Sequence, residues 1–186
     1  MKAALIIFDN MTSLDFIGFY DPLTRLKTMK FLQDFEWKIC ARKTQVTDDR
    51  GLKIAADAVN ESLADFDLVF IPGGFGTRPL QHDRAFVDWI RTAQNATLKT
   101  SVCTGSLLLG AAGFLKDKRA TTHPSAYKEL EPYCATVVAE RIVDEGGIIT
   151  GGGVSTSIDL GLHVVQRLAG AEARARIAKQ MDYPYR

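Results

Sequence analysis

The sequence of 186 residues is poor in cysteine, and its three cysteines are not spaced as pairs. Cys40, Cys103 and Cys134 form no Cys-x-x-Cys motif, and their number is odd. A disulfide framework needs an even set of cysteines, and a structural zinc site needs closely spaced ligands. The pattern argues against both, and we expect a protein of the reducing cytoplasm with no metal site.

The sequence also lacks a long hydrophobic run and a block of like charges. The first apolar run, residues 3–8, stops at Asp9 and is too short to span a membrane or to form the core of a signal peptide. The 23 basic and 22 acidic side chains are spread along the chain and give a net charge of +1. No basic block suggests a nucleic-acid partner. We therefore expect a small-molecule partner, with neither a membrane nor a nucleic acid bound.

What the sequence does contain is a series of short apolar runs separated by stretches with helical spacing. Strands are predicted at 3–8, 37–41, 67–71, 99–102, 119–122, 136–139 and 148–150, with short extended pieces near 46 and 52–55; helices are predicted at 13–31, 84–95, 106–112, 124–130, 155–168 and 171–180. This alternation predicts one α/β domain, residues 1–186, with a mostly parallel sheet and helices on both faces. Ligands of such sheets bind beyond the carboxyl ends of the strands.

The segment from Thr100 to Ser106 passes from a strand into a helix without a spacer. So sharp a turn strains the backbone of the corner residue, Cys103, and requires small residues two positions before and after it, where Ser101 and Gly105 stand. A thiol at this corner points into the cleft, and the start of the following helix favours its thiolate. We predict that Cys103 is a nucleophile; the alternative is a buried cysteine that packs as a small hydrophobe.

A second turn is expected beside this cysteine. The strand that ends in Pro72-Gly73-Gly74 leaves amides that no Cβ atom shields. Because the carboxyl ends of parallel strands share one edge, we expect the Gly74 and Thr104 amides to form an oxyanion hole for a substrate attacked by Cys103. The alternative is a plain tight turn.

Together these motifs resemble the ThiJ/PfpI superfamily, and its isonitrile (isocyanide) hydratase branch most of all. That branch also has Ser-Val-Cys-Thr-Gly-Ser at the elbow, Arg-Ala-Thr-Thr-His on the next strand and Thr-Gly-Gly-Gly before a late helix, as here at 101–106, 119–123 and 150–153. The resemblance covers residues 1–169. It implies a flavodoxin-like three-layer sandwich, a homodimer, no cofactor, and hydration of an isonitrile to an N-substituted formamide.

The resemblance also implies roles for residues outside the elbow. Asp15 matches an acid that faces the cysteine in the hydratase branch, and a carboxyl beside a thiolate is a like-charge pair that keeps a proton available. Ile17 replaces the usual threonine and is expected to make the pocket floor more apolar. Thr104 is a candidate hydrogen-bond partner of the substrate or of water. Because a hydroxyl is no general base at neutral pH, no Cys-His dyad with the adjacent residue is expected.

Three further residues are predicted to lie near the site: Gly73, His123 and Gly152. His123 ends a strand and is a candidate for orienting polar groups at the site or for a dimer contact, with a structural histidine as the alternative. The glycines at 151–153 are expected to bring backbone close to the pocket. They do not form a G-x-G-x-x-G motif after a first strand, so a nucleotide cofactor is not expected.

Other functions stay open on the sequence alone. One is different thiol chemistry of the superfamily: glyoxalase III, deglycase or amidase activity. Another is a redox sensor or chaperone-like stress protein, because a reactive thiolate oxidises readily to sulfenic or sulfinic acid. The ligand-sensing domain of a transcription regulator is disfavoured, since no basic helix-turn-helix segment follows Gln180.

Overall fold

Eleven strands and six α-helices form the regular structure of residues 1–184, the part of the chain that the computed structural model describes. In chain order the strands are β1 (Lys2–Ile6), β2 (Glu36–Ala41), β3 (Gln45–Thr47), β4 (Lys53–Ala55), β5 (Ala58–Val59), β6 (Leu68–Ile71), β7 (Leu98–Val102), β8 (Arg119–Ala120), β9 (Thr136–Val137), β10 (Ile142–Asp144) and β11 (Ile148–Gly151). The helices are α1 (Ser13–Thr28), α2 (Thr77–Leu80), α3 (Arg84–Arg91), α4 (Gly105–Ala111), α5 (Tyr127–Leu130) and α6 (Thr156–Gln180).

Seven of these strands form the main sheet, in the order β10-β11-β7-β6-β1-β2-β5. All neighbouring pairs are parallel except β10 and β11, which are antiparallel at one edge. Every residue of β6 and β7 is buried, as expected for parallel strands that are covered on both faces. Both edge strands are short, with two residues in β5 and three in β10. The predicted α/β fold, a mainly parallel sheet flanked by helices, is confirmed.

A small antiparallel hairpin of β3 and β4 lies outside the main sheet. Its turn is held by Asp48, whose carboxylate accepts hydrogen bonds from the amides of Arg50 and Leu52 at 2.8 and 2.7 Å. The same carboxylate accepts a hydrogen bond of 2.6 Å from the Ser13 hydroxyl at the start of α1. The hairpin turn is therefore attached to the beginning of α1, next to Asp15.

The helices follow the sequence prediction with a few differences. The predicted helix at 124–130 is a 3-10 turn followed by α5, and the one at 84–95 is α3 followed by a 3-10 turn. The two predicted C-terminal helices are the two halves of α6, because Gly170, with φ of 86°, interrupts its helical backbone. Strands β5 and β10 and helix α2 were not predicted, and the predicted strand at 119–122 ends at Ala120, so that His123 lies beyond its end. Across residues 1–184, no helix combines the length and the apolarity that crossing a membrane requires.

Candidate active site

Cys103 lies at the corner between β7 and α4, as its sequence context predicts. Its φ is 54°, in the left-handed region that is strained for a residue with a side chain. Its N–H donates to the carbonyl oxygens of Gly151 and Gly152 at 3.1 and 2.7 Å, and its own carbonyl accepts a bond of 2.8 Å from the Thr122 hydroxyl. Two neighbouring segments thus hold the strained corner in place.

The small residues on either side of the corner are required by close contacts. A Cβ atom on Gly105 would lie 2.3 Å from the carbonyl oxygen of Ile71 and 2.7 Å from that of Pro72. Ser101 is fully buried and pairs with Ile71 in the sheet. The first turn of α4 therefore packs directly on the end of β6, which is the steric arrangement expected of a nucleophile elbow.

Asp15 lies beside Cys103, in the first turn of α1. Its side chain is fully buried, and Oδ2 accepts a hydrogen bond of 2.8 Å from the Gly73 amide. Oδ1 has no hydrogen-bond partner within the described part of the chain. Burial raises the pKa of Asp15 to about 7, although its interactions with the Gly73 amide and the Cys103 side chain act in the opposite direction. A carboxyl in this setting holds a proton near neutral pH.

The Cys103 thiol is also buried, with 6% of the residue exposed. Burial, and after it the nearby charge of Asp15, raise the pKa of Cys103 to about 12, while the Thr104 amide acts to lower it. The expectation of a readily formed thiolate is therefore wrong for this arrangement, because the start of α4 does not outweigh desolvation and a like charge. Two adjacent acids with raised pKa values share one proton over a wide pH range.

Gly73 lies between Cys103 and Asp15. A Cβ atom at Gly73 would lie 2.6 Å from the Thr104 nitrogen, 2.7 Å from Cβ of Cys103 and 2.8 Å from Oδ2 of Asp15. Only a residue without a side chain fits between the thiol and the carboxyl. The structure thus brings Gly73 into the site, where the sequence predicts it.

The predicted oxyanion hole is occupied by a side chain of the protein itself. The Gly74 N–H donates to the Thr104 hydroxyl oxygen at 3.0 Å, and that hydroxyl is 3.1 Å from the Gly74 carbonyl oxygen, to which it donates. The expectation of a free Gly74 amide is therefore corrected, because Thr104 satisfies it. The Thr104 amide faces the Cys103 thiol instead. An oxyanion role for Gly74 stays a prediction that requires the Thr104 side chain to rotate.

Of the other predicted residues, two lie at the site and one does not. His123 borders the cavity above the thiol, and its Nδ1 accepts a hydrogen bond of 3.2 Å from the Ser125 amide. Gly152 supplies the carbonyl that binds the Cys103 amide. Ile17 is 46% exposed on α1 and is not among the residues that line the cavity. Two residues along a helix turn by about 200°, so Ile17 faces away when Asp15 faces in, and its predicted place in the pocket floor is wrong.

A cavity of about 360 Å³ opens above Cys103. Sequence reasoning missed much of its wall, because no local motif marks Asp49 and Arg50 of the β3–β4 turn, or Phe75 and Arg78 after the Pro-Gly-Gly turn. Arg50 pairs with Asp49 at 2.9 Å, and Arg78 pairs with Glu129 at 3.0 Å. The lining consists of Thr12, Leu14, Asp49, Arg50, Gly74, Phe75, Arg78, Cys103, Thr104, His123, Ser125 and Val154.

Comparison with known proteins identifies the group to which this site belongs. The model of the DJ-1/PfpI family matches residues 1–167. The chain belongs to the DJ-1/PfpI family. It is 37% identical to isonitrile hydratase from Pseudomonas putida, over 98% of this chain and 78% of that protein. It is 29% identical to protein DJ-1alpha from Drosophila melanogaster, over 100% of this chain and 85% of that protein.

A solved structure supports the same assignment. A ThiJ/PfpI family protein from Pseudomonas syringae is similar with a TM-score of 0.89 and 31% identity, over 100% of this chain and 76% of that chain. The resemblance seen in the motifs is thus confirmed. Because DJ-1/PfpI relatives with different names match nearly the whole chain, membership of the family establishes the fold and leaves the reaction to the chemistry of the site.

Proposed function

We propose that the protein hydrates an isonitrile to an N-substituted formamide, with Cys103 as the nucleophile and Asp15 as the proton carrier. The observation that supports this function most directly is the interaction of the thiol with a fully buried carboxyl whose pKa is raised to about 7. The 37% identity to isonitrile hydratase from Pseudomonas putida supports the substrate class.

In the first step, sulfur bonds to the terminal carbon of the isonitrile, and that same carbon receives the single proton shared by Cys103 and Asp15. The product is a thioimidate, in which the former isonitrile carbon carries one hydrogen and is doubly bonded to nitrogen, and Asp15 is left ionised. The negative charge of this step develops on carbon and is neutralised by the proton. No oxyanion forms in this step, so an occupied Gly74 amide is compatible with it.

In the second step, water adds to the thioimidate carbon. One proton of the water passes through Asp15 to the nitrogen, and the hydroxyl stays on carbon. When the carbon–sulfur bond breaks, the hydroxyl proton passes to Asp15, the N-substituted formamide leaves, and the pair regains its single proton. Atoms and charge balance for one isonitrile and one water, with no electron transfer and no cofactor.

Turnover of a simple alkyl isonitrile tests this function, with formation of the formamide followed by proton NMR. Cys103→Ala and Asp15→Asn are expected to abolish turnover while circular dichroism shows a retained fold. Cys134→Ala, the same change at the half-buried third cysteine, is the matched control and is expected to keep full activity. Absence of turnover by wild-type protein with a titratable, reduced Cys103 would contradict the proposal.

The second candidate function is other thiol chemistry of this superfamily, on a 2-oxoaldehyde or an amide. Attack on a carbonyl places negative charge on oxygen and calls for two donors, and Gly74 becomes the second donor only after the Thr104 hydroxyl turns away. Methylglyoxal and a simple amide in the same assays separate this function from the first. We also propose a homodimer, which light scattering coupled to size-exclusion chromatography tests.

A further inference from the structure

A second cleft opens beyond the carboxyl ends of β1 and β2, separate from the cavity above Cys103. Its volume is about 430 Å³, within the range of small-molecule sites. Its lining includes Phe8, Arg42, Lys43, Leu80, Asp83 and Phe86. No step of the proposed reaction uses any of these residues.

The cleft lies next to the point where the strand order reverses. From β1 the chain runs outward to β2 and β5 on one side, and it then returns to β6 on the other side of β1. In open parallel sheets, the crevice outside the carboxyl ends at such a point is the usual place for a ligand. The loops after β1, β2 and β6 all contribute to the walls of the cleft.

The inner surface of the cleft is apolar and rigidly packed. Phe8 and Phe86 are each 4% exposed, and their rings meet edge to face with centroids 6.1 Å apart. Val46 is 2% exposed. Pro79 and Leu80 of α2, which are less buried than the two rings, complete this surface. It suits a flat apolar body such as an aromatic or alicyclic ring.

The cleft is lined by two basic side chains, Arg42 and Lys43, and two acidic ones, Asp9 and Asp83, so its formal charge is balanced. The Lys43 ammonium is paired with Asp9, and the Asp83 carboxylate caps α3 by accepting the Phe86 amide. Arg42, in contrast, forms no ion pair with any residue from 1 to 184. One of its terminal nitrogens donates to the Ala85 carbonyl at 2.7 Å, which fixes the guanidinium while other donors stay available.

We propose that this cleft is a second ligand site, specific for a small organic carboxylate with an apolar ring. The ring packs on Pro79 and Leu80 above the floor that Phe8 and Phe86 form, and the carboxylate binds the guanidinium of Arg42. Arginine matches a carboxylate because its planar donors form two parallel hydrogen bonds. The ligand is bound without any covalent step.

A hydrogen-bonded wall separates this cleft from the catalytic cavity. Asn10, on the cleft side, accepts a bond of 3.0 Å from the Gly76 amide, and Thr12, on the cavity side, donates one of 2.9 Å to the Gly73 carbonyl. Because the wall is continuous backbone, the two spaces are distinct sites. A test of binding in the cleft must therefore distinguish Arg42 from the arginines of the catalytic cavity, of which Arg50 is one.

Titration of the full-length protein with benzoate by isothermal calorimetry tests the proposal, with benzamide as the uncharged analogue of the same shape. Wild type is expected to bind benzoate with a Kd of roughly 1 mM and benzamide at least about tenfold more weakly, because the charge-assisted bonds are lost. Arg42→Gln is expected to weaken benzoate by about tenfold or more, and Arg50→Gln to leave it unchanged. Arg42→Lys, which keeps the charge but not the planar donors, is expected to lie between.

Several results would overturn the proposal. The proposal is wrong if benzoate shows no detectable binding up to about 20 mM. It is also wrong if benzoate and benzamide bind equally, or if Arg42→Gln leaves the affinity for benzoate unchanged. Loss of affinity in Arg50→Gln alone would assign the anion to the catalytic cavity and would also refute it. Thermal melting of each variant establishes that it is folded, and Arg42→Lys replaces Arg42→Gln if the latter is not.

Discussion

Replacing Asp15 with asparagine is expected to stabilise the fold at alkaline pH while it removes the proton carrier of the proposed reaction. The change keeps the size of the side chain, and the amide oxygen can still accept the Gly73 N–H. The pKa of Asp15 is raised from 3.8 to about 7 by burial. Because the folded-state value is the higher one, the stabilisation linked to this proton is present below about pH 4 and is lost as the pH rises toward 7.

The size of the effect follows from that shift. About three pKa units at about 1.4 kcal/mol each give a cost of about 4 kcal/mol for keeping Asp15 buried and ionised above pH 7. Part of this cost is already present at pH 5, because folding at that pH must return a proton to a carboxyl that is ionised in the unfolded chain. The free energy of unfolding of Asp15→Asn should therefore gain about 2 to 3 kcal/mol relative to wild type between pH 5 and pH 8.

Urea denaturation at pH 5 and pH 8, monitored by circular dichroism, measures this difference. Asp34→Asn is the matched control, because Asp34 is exposed and is not among the groups that shift the pKa of Asp15. The control is not expected to gain stability toward alkaline pH. If the difference between Asp15→Asn and wild type were the same at both pH values, Asp15 would not hold a proton near neutrality, and the proposed proton transfer would be refuted.

Three further outcomes are expected. The value of kcat/KM for an isonitrile should rise with pH to a plateau above about pH 7, because the Cys103–Asp15 pair then holds one proton in place of two. A profile that falls with pH over this range would contradict the single-proton mechanism. Gly73→Ala should lower turnover by about a hundredfold or more, because the new Cβ would lie 2.6 to 2.8 Å from three groups of the site. Gly147→Ala is the control, because the nearest contact of its new Cβ is at 3.3 Å. Equal effects of the two changes would show that crowding at the site is not the cause. Thr104→Val leaves the Gly74 amide without its acceptor and should reduce the free energy of unfolding by about 1 to 3 kcal/mol in urea; no loss would show that water replaces the hydroxyl.

The features that could be predicted from the sequence depend on local geometry. The strained corner at Cys103 follows from a strand that meets a helix without a spacer, and the need for Gly105 follows from the same turn. The parallel sheet follows from the order of apolar runs, and the nearness of Gly73 to Cys103 follows from the shared edge of neighbouring strands. Strand β10 was missed because its three residues contain no distinct apolar run.

The features that could not be predicted depend on contacts between distant segments. Asp49 and Arg50 reach the cavity because hydrogen bonds of Asp48 and Asp49 attach the hairpin turn to residues 11–13 at the start of α1. The direction of the thiol pKa depends on burial and on Asp15, neither of which is visible around Cys103 in the sequence. The occupied Gly74 amide likewise results from the rotamer of Thr104, which no sequence pattern specifies.

The short edges of the main sheet have a consequence for how copies of this protein can associate. Unpaired amide and carbonyl groups along an edge strand are a template for adding strands from another molecule, which is the route to fibrils. Here β5 offers two residues and β10 three, and Asp144 of β10 is held by His163 and Arg167 of α6, at 2.7 Å from each. Growth by strand addition is therefore disfavoured at both ends, and contacts between copies are expected to use helical surfaces.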